Sequence, residues 1–237
     1  MLTGTLRSGA RVARWWFTDR LGGFSAPPYD SLNLAAHVGD EPTDVRANRA
    51  ALETELGAGP LSWMGPVHGT DIVFLDAPTS ITPDVDALAT TTPGTPLVTL
   101  GADCVPVLIA VETYVIAAHI GWRGFAADMS ASIRTFLMQR GVDVADAKVL
   151  LGPAICGSCY AIPDERADAI AQVSRSAVVR LADGRAGADI RVGLAEQWAA
   201  YGASVEHVGP CTFEDRRYFS HRRDGVTGRQ AGVIAWV

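Results

Sequence analysis

Residues 105–124 read Val-Pro-Val-Leu-Ile-Ala-Val-Glu-Thr-Tyr-Val-Ile-Ala-Ala-His-Ile-Gly-Trp-Arg-Gly. Two apolar runs, Val105 to Val111 and Tyr114 to Ala118, flank Glu112-Thr113, which predicts a β-hairpin with those two residues as its loop. Val111 then faces Tyr114, and Pro106 faces His119. Cys104 falls two positions beyond Pro106, on the face of the ribbon that carries His119. Diagonal neighbours of this kind lie about 7–8 Å apart at the backbone, a spacing that lets two side chains converge on one ion with bonds of about 2.0–2.3 Å.

Working outward, Leu97 to Leu100 is another apolar strand, and Trp15 to Thr18 reads as a strand entering the turn-rich Arg20-Leu21-Gly22-Gly23-Phe24-Ser25. A helix is expected after Asp40, with Pro42 in its first turn, Val45, Leu52 and Leu56 on its buried stripe, and Gly57 at its end. Phe125, Met129, Ile133 and Leu137 recur at helical spacing, with Gly141 where a cap belongs. Two more helices are expected over Pro163–Val173 and Ile190–Tyr201, the latter with Asp189 as N-cap and Gly202 beyond its end. A last strand pair would turn near Asp224-Gly225 and finish at Val233 to Val237. Helices mixed with hairpins favour an α+β fold: a single domain over residues 1–237, with mixed β-sheets and hairpins covered by helices.

Of the 237 residues, 48% are apolar, enough for a sizeable core. The formal charge of −6 argues against general nucleic-acid binding, which needs a basic face. No run of about 18 apolar residues predicts a membrane span. Met1 to Trp16 carries Arg7, Arg11 and Arg14 but no apolar signal core, so a cytoplasmic location is the expectation. Oligomeric state is left open.

The chain has five histidines and four cysteines. Two of the histidines stand beside glycine, in Val67-His68-Gly69 and in His119-Ile120-Gly121-Trp122-Arg123-Gly124. A Cys104–His119 pair plus one more imidazole would leave a fourth zinc position open, as in catalytic sites. A cysteine on a buried strand is also commonly a small hydrophobe. Cys156-x-x-Cys159 lacks a second pair of ligands nearby and reads as turn or core thiols; Cys211 reads as a thiol, a ligand or a core filler. Gly121 to Gly124 precedes a helix, where free amides and Arg123 could hold an anion, or where Trp122 simply packs. Near the C-terminus, Arg216, Arg217, Arg222, Arg223 and Arg229 concentrate positive charge. Arginine's fork suits phosphate, although Glu214, Asp215 and Asp224 could satisfy several of these side chains locally.

These segments together resemble the bacterial laccase-domain, or multicopper polyphenol oxidase-like (YfiH-type), family. The likeness rests on Thr18-Asp19-Arg20-Leu21-Gly22-Gly23-Phe24-Ser25, Ser31-Leu32-Asn33-Leu34, Val38-Gly39-Asp40, Val67-His68-Gly69 and Ala102-Asp103-Cys104-Val105-Pro106. It continues through the His119 motif, Gly152-Pro153-Ala154-Ile155, Cys211-Thr212 and Phe219-Ser220-His221-Arg222-Arg223. It implies a zinc-dependent purine nucleoside phosphorylase with adenosine deaminase activity, a group also described as peptidoglycan editing factors. The implied zinc ligands are His68, Cys104 and His119, with copper possible as a substitute. Purine nucleoside and phosphate are the implied partners. Arg20, Arg123 and Arg222 are candidates to position the anion, and Asn33 to contact ribose or base, although an ordinary turn explains Asn33 equally. Asp103 is a candidate for proton transfer or for orienting its loop. Pro66 stands where the family commonly has Gln. Two other chemistries compete: a Cys104–His119 hydrolase or amidase acting on peptidoglycan precursors, and a copper-dependent polyphenol oxidase. Five histidines with no His-x-His pair make a poor multicopper centre.

Overall fold

A computed structural model describes residues 1–237. The strands are β1 (Leu2–Ser8), β2 (Arg11–Phe17), β3 (Ser62–Trp63), β4 (Ile72–Phe74), β5 (Ala87–Thr90), β6 (Leu97–Gly101), β7 (Val105–Val111), β8 (Tyr114–Ile120), β9 (Lys148–Leu151), β10 (Ala161–Ile162), β11 (Val178–Arg180), β12 (Ala186–Ala188), β13 (Ser204–His207) and β14 (Gln230–Trp236). The helices are α1 (Pro42–Leu56), α2 (Trp122–Ala126), α3 (Met129–Met138), α4 (Asp164–Val173), α5 (Ile190–Ala200) and α6 (His221–Asp224). Three mixed or antiparallel sheets and six helices make this an α+β fold, as the alternation of patterns implied.

The five-stranded sheet runs β1-β2-β14-β6-β3 and the six-stranded sheet β13-β9-β7-β8-β5-β4. Side-chain alternation explains how they stack. Val107, Ile109 and Val111 point to one face of the six-stranded sheet, into a core of 29 buried residues shared with Phe125, Met129, Ile133, Ile170, Leu194 and Trp198 of the helices. Leu108 and Ala110 point to the other face and meet Phe17, Leu97, Ile234 and Trp236 of the five-stranded sheet. Trp16, Val98 and Val233 form that sheet's outer face, which Leu52 and Leu56 of α1 cover. The layers are therefore helix, sheet, sheet, helix. Every residue of β7 is buried because the strand has protein on both faces, so its sequence is a continuous apolar run.

The central hairpin has the expected register, with Val111 opposite Tyr114 and Pro106 opposite His119. Helix α1 begins with Pro42 and ends at Gly57, whose φ of 55° is the left-handed cap that glycine adopts freely. Asp189 caps α5, accepting from the Val192 amide.

Two expectations fail. The Phe125-to-Leu137 pattern is two helices, broken at Asp128, which has φ 58° and caps α3 by accepting from Ala131. Phe125, Met129, Ile133 and Leu137 all stay buried across the break. The period recorded a common buried face rather than one helix. Nor does the C-terminal strand turn back on a neighbour near Gly225. Residues 221–224 form a short helix capped by Ser220, and β14 inserts between β2 and β6. Its partners are distant in sequence, where no turn signal can announce them. Strand β1 was also missed; it pairs with β2 at the sheet edge. No helix is long and apolar enough to cross a membrane.

Candidate metal centre and its cleft

The open end of the β7–β8 hairpin builds the site. His119 is the penultimate residue of β8, and Cys104 immediately precedes β7. His68 arrives on the loop that leads into β4, whose strand runs parallel beside β5. The donor atoms of His68, Cys104 and His119 lie within 4.8 Å of one another. The two imidazoles meet edge to face, with centroids 4.8 Å apart.

Asp86 joins these segments, and the sequence reading did not find it. It is fully buried at the entry to β5. Its Oδ1 accepts from His119 Nδ1 at 2.8 Å and from the His68 backbone amide at 3.0 Å. Its Oδ2 accepts from the amides of Gly69 at 2.6 Å and Val67 at 3.3 Å. One carboxylate thus holds the His68 loop and fixes the His119 tautomer, leaving Nε2 for an ion. Burial by itself would raise the Asp86 pKa; the His119 hydrogen bond and charge, with the backbone amides, hold it below its ordinary value. The available signal was an acidic residue set directly before the apolar Ala87-Leu88-Ala89. For His119, burial would lower the pKa, but the Cys104 sulfur and Asp86 outweigh it and raise it to about 9. Burial pushes His68 the other way, aided by the neighbouring His119.

Three observations fit this donor set to a metal ion. His68 Nδ1 is buried and has no hydrogen-bond partner, a state that native structures rarely leave unexplained. A Cβ on Gly121 would sit 2.8 Å from that nitrogen and 2.9 Å from Cys104 Sγ, so glycine keeps the space between the donors free. His68, one of the donors, and Asp103, which adjoins Cys104, are both held at positive φ, 63° and 92°, a conformation that costs a non-glycine residue about 1–3 kcal/mol. Two imidazoles and a thiolate suit zinc or copper better than hard cations.

Beside the three donors lies a cleft of about 410 Å³, within the usual range for small-molecule sites. Arg123, Arg166 and Arg222 line it together with Trp122 and Tyr160. Arg166, absent from the sequence reading, has a buried Nε without a partner and lies 4.4 Å over the Trp122 ring. Arg222 lies 4.8 Å over Tyr160 and donates to the Ala161 carbonyl at 2.8 Å. A smaller recess on the other side of the donors is lined by His37, Pro66, His221 and Arg229.

Arg20 and Asn33 do not line the cleft. Arg20 donates to the Asp30 carbonyl at 2.6 Å, pairs with the Asp30 carboxylate at 3.1 Å and stacks over Phe219. Asn33 is fully buried, where it donates to Asp40 at 2.9 Å and accepts from the Arg229 amide at 2.9 Å. Both are spent on the scaffold. Asp103 is likewise occupied, accepting from Thr212 Oγ1 at 2.7 Å and the Arg222 amide at 2.6 Å, which favours the loop-orienting role. Arg217 and Arg223 are neutralised by Asp215 and Asp224.

The family model described as multi-copper polyphenol oxidoreductase laccase matches residues 14–237. The chain is 40% identical over 235 residues to purine nucleoside phosphorylase SCO2081 of Streptomyces coelicolor, covering 96% of this chain and 97% of that protein. It is 36% identical over 228 residues to purine nucleoside phosphorylase YfiH of Escherichia coli, covering 92% and 91%. The crystal structure of protein NMB0706 from Neisseria meningitidis superposes with a TM-score of 0.86 at 31% identity, over 99% of this chain and 98% of that one.

Proposed function

We propose phosphorolysis of purine nucleosides from one premise: this chain belongs to the multi-copper polyphenol oxidoreductase laccase family. Its relatives SCO2081 and YfiH carry the name purine nucleoside phosphorylase, and the alignment spans nearly all of each. The whole chain, residues 1–237, is taken as one functional unit. The observation that carries the reading is the cleft itself, where His68 and Cys104 of the three-donor set line a space that three guanidinium groups also line.

In that cleft, Arg123, Arg166 and Arg222 would hold inorganic phosphate by paired N–H donors and fix its direction of approach. Aromatic rings under the guanidiniums order them before the anion arrives. A phosphate oxygen attacks the anomeric carbon of the ribose, and the carbon–nitrogen bond to the purine breaks. Its electron pair leaves with the base, which takes up a proton, and ribose 1-phosphate remains. His68, Cys104 and His119 would hold zinc, with copper as a competitor for the same donors. Zinc so held would supply Lewis acidity. The finer part of the proposal is deamination of adenosine in the same cleft.

A second reading draws on the Asp86–His119 hydrogen bond. Asp86, His119 and Cys104 follow the order of a nucleophile triad, which would serve a hydrolase or amidase. His68 weighs against it, because a triad has no use for a second imbedded imidazole with an unpartnered buried nitrogen.

Incubating the purified protein with adenosine or inosine, with and without phosphate, and separating the products tests these readings. Phosphate-dependent release of free base with ribose 1-phosphate is the expected result; inosine formed from adenosine without phosphate marks deamination. Cys104→Ala should lose one equivalent of metal along with turnover. Alkylation-sensitive hydrolysis in chelated, metal-free protein would establish the triad instead.

A further inference from the structure

Away from the cleft, a second group of side chains has the make-up of a metal site. Cys156 and Cys159 sit on the loop after β9, where the Cys159 and Tyr160 amides both donate to the Cys156 carbonyl at 3.1 Å. Cys211 and Glu214 sit after β13. The two segments meet through a parallel bridge between Ala154 and Cys211, reinforced by the Thr212 amide donating to the Ala154 carbonyl at 3.2 Å. The ligand atoms of Cys156, Cys159, Cys211 and Glu214 all lie within 4.8 Å of one another. All three cysteines are free thiols, and Cys211 is buried. The Cys156 amide donates to Cys211 Sγ at 3.3 Å, and the Cys159 thiol donates to Glu214 Oε1 at 3.5 Å.

We propose that Cys156, Cys159, Cys211 and Glu214 bind a soft divalent cation of the zinc class, at a site separate from His68, Cys104 and His119. Four donors about 2.0–2.3 Å from a tetrahedral ion stand roughly 3.3–3.8 Å apart, so the widest spread allowed here, 4.8 Å, is only about 1–1.5 Å beyond a ligated set. The Cys156 amide on the Cys211 sulfur is a contact that favours the charged form of the thiol, the form a cation needs. On binding, the three thiols give up their protons to solvent and the carboxylate enters as an anion. With four protein donors the site is closed, which is the mark of a structural rather than a catalytic centre. The -C-x-x-C- pair in the sequence lacked visible partners because they lie about fifty residues further on and reach it only through the Ala154–Cys211 bridge.

Its place in the fold gives it a purpose. Ile155 and Tyr160, which flank the cysteine pair, line the cleft, and Thr212 beside Cys211 holds Asp103. A cation here ties the segment that lines the cleft at Ile155 and Tyr160 to the one that holds Asp103 through Thr212.

The test uses the full chain, purified under reducing conditions with added zinc, and counts metal per chain by mass spectrometry. Wild-type protein should carry two zinc ions, and Cys104→Ala and Cys159→Ser one each. Cobalt(II) exchanged into Cys104→Ala should give a sulfur-to-metal charge-transfer band, which Glu214→Gln in the same background shifts or weakens. Folded Cys104→Ala that binds neither zinc nor cobalt overturns the proposal. So does a thiol titration showing two of the three cysteines joined as a disulfide in protein kept reduced. The Cys104→Ala measurement leaves all four proposed ligands intact, so it decides the matter even if Cys159→Ser fails to fold.

Discussion

Asp86 Oδ1 accepts from His119 Nδ1 at 2.8 Å while the same carboxylate binds three successive backbone amides of the His68 loop. Two metal-ligand candidates that are 51 positions apart in the chain are thus aligned by one buried anion. Asp86→Asn keeps the shape but removes the charge and offers a competing donor. Metal affinity at the His68–Cys104–His119 site should fall about 10–100-fold, read by competition with a chromophoric chelator. Unchanged affinity in a folded variant would remove Asp86 from this role.

Gly121 is the gap between the ligands. Its φ of −86° and ψ of 177° suit any residue, so backbone freedom is not why glycine stands there. The added methyl of Gly121→Ala would instead meet His68 Nδ1 and Cys104 Sγ. The variant should keep its circular dichroism and melting temperature within a few degrees while losing metal from the first site and all turnover. Full metal occupancy by mass spectrometry would contradict that placement.

Arg166 carries a guanidinium ordered over Trp122, with NH1 donating to the Tyr160 hydroxyl at 3.4 Å and a buried Nε that has no partner. If it binds phosphate, Arg166→Ala removes a charged hydrogen bond of about 1.5–3 kcal/mol, raising the phosphate KM roughly 10–100-fold. Arg166→Lys should recover only part of this, because an ammonium lacks the planar fork. The nucleoside KM should move much less, and equal changes in both constants would point to general disruption instead.

The core under the cleft sets stability rather than chemistry. Ile133 of α3 is fully buried against the six-stranded sheet. Ile133→Ala should cost about 2–5 kcal/mol in denaturant unfolding, with metal content per folded chain unchanged. A smaller loss would mean that the helix layer settles onto the sheet and closes the cavity.

Local features were legible in the residues alone. The β7–β8 hairpin was readable because its partners are adjacent, so a two-residue loop sets every pair from Val111–Tyr114 to Pro106–His119. Pro42 and Gly57 bracketed α1 because helix ends are decided by the backbone preferences of single residues. Motif likeness named His68, Cys104 and His119, and the structure brings their donor atoms together.

Only the tertiary structure decided what depends on distant partners. An apolar period reports that a face is buried but not what buries it, so the break at Asp128 and the central seat of β14 were invisible. Charged and polar residues read alike until their neighbours are known: Arg20 and Asn33 are consumed by Asp30 and Asp40, whereas Arg166 is left facing a cleft. Asp86 beneath His119, and Cys211 beside Cys156, exist as pairs only after strands far apart in the chain come side by side. Hydrogen bonding and metal affinity act over a few ångströms, and chain order does not encode those distances.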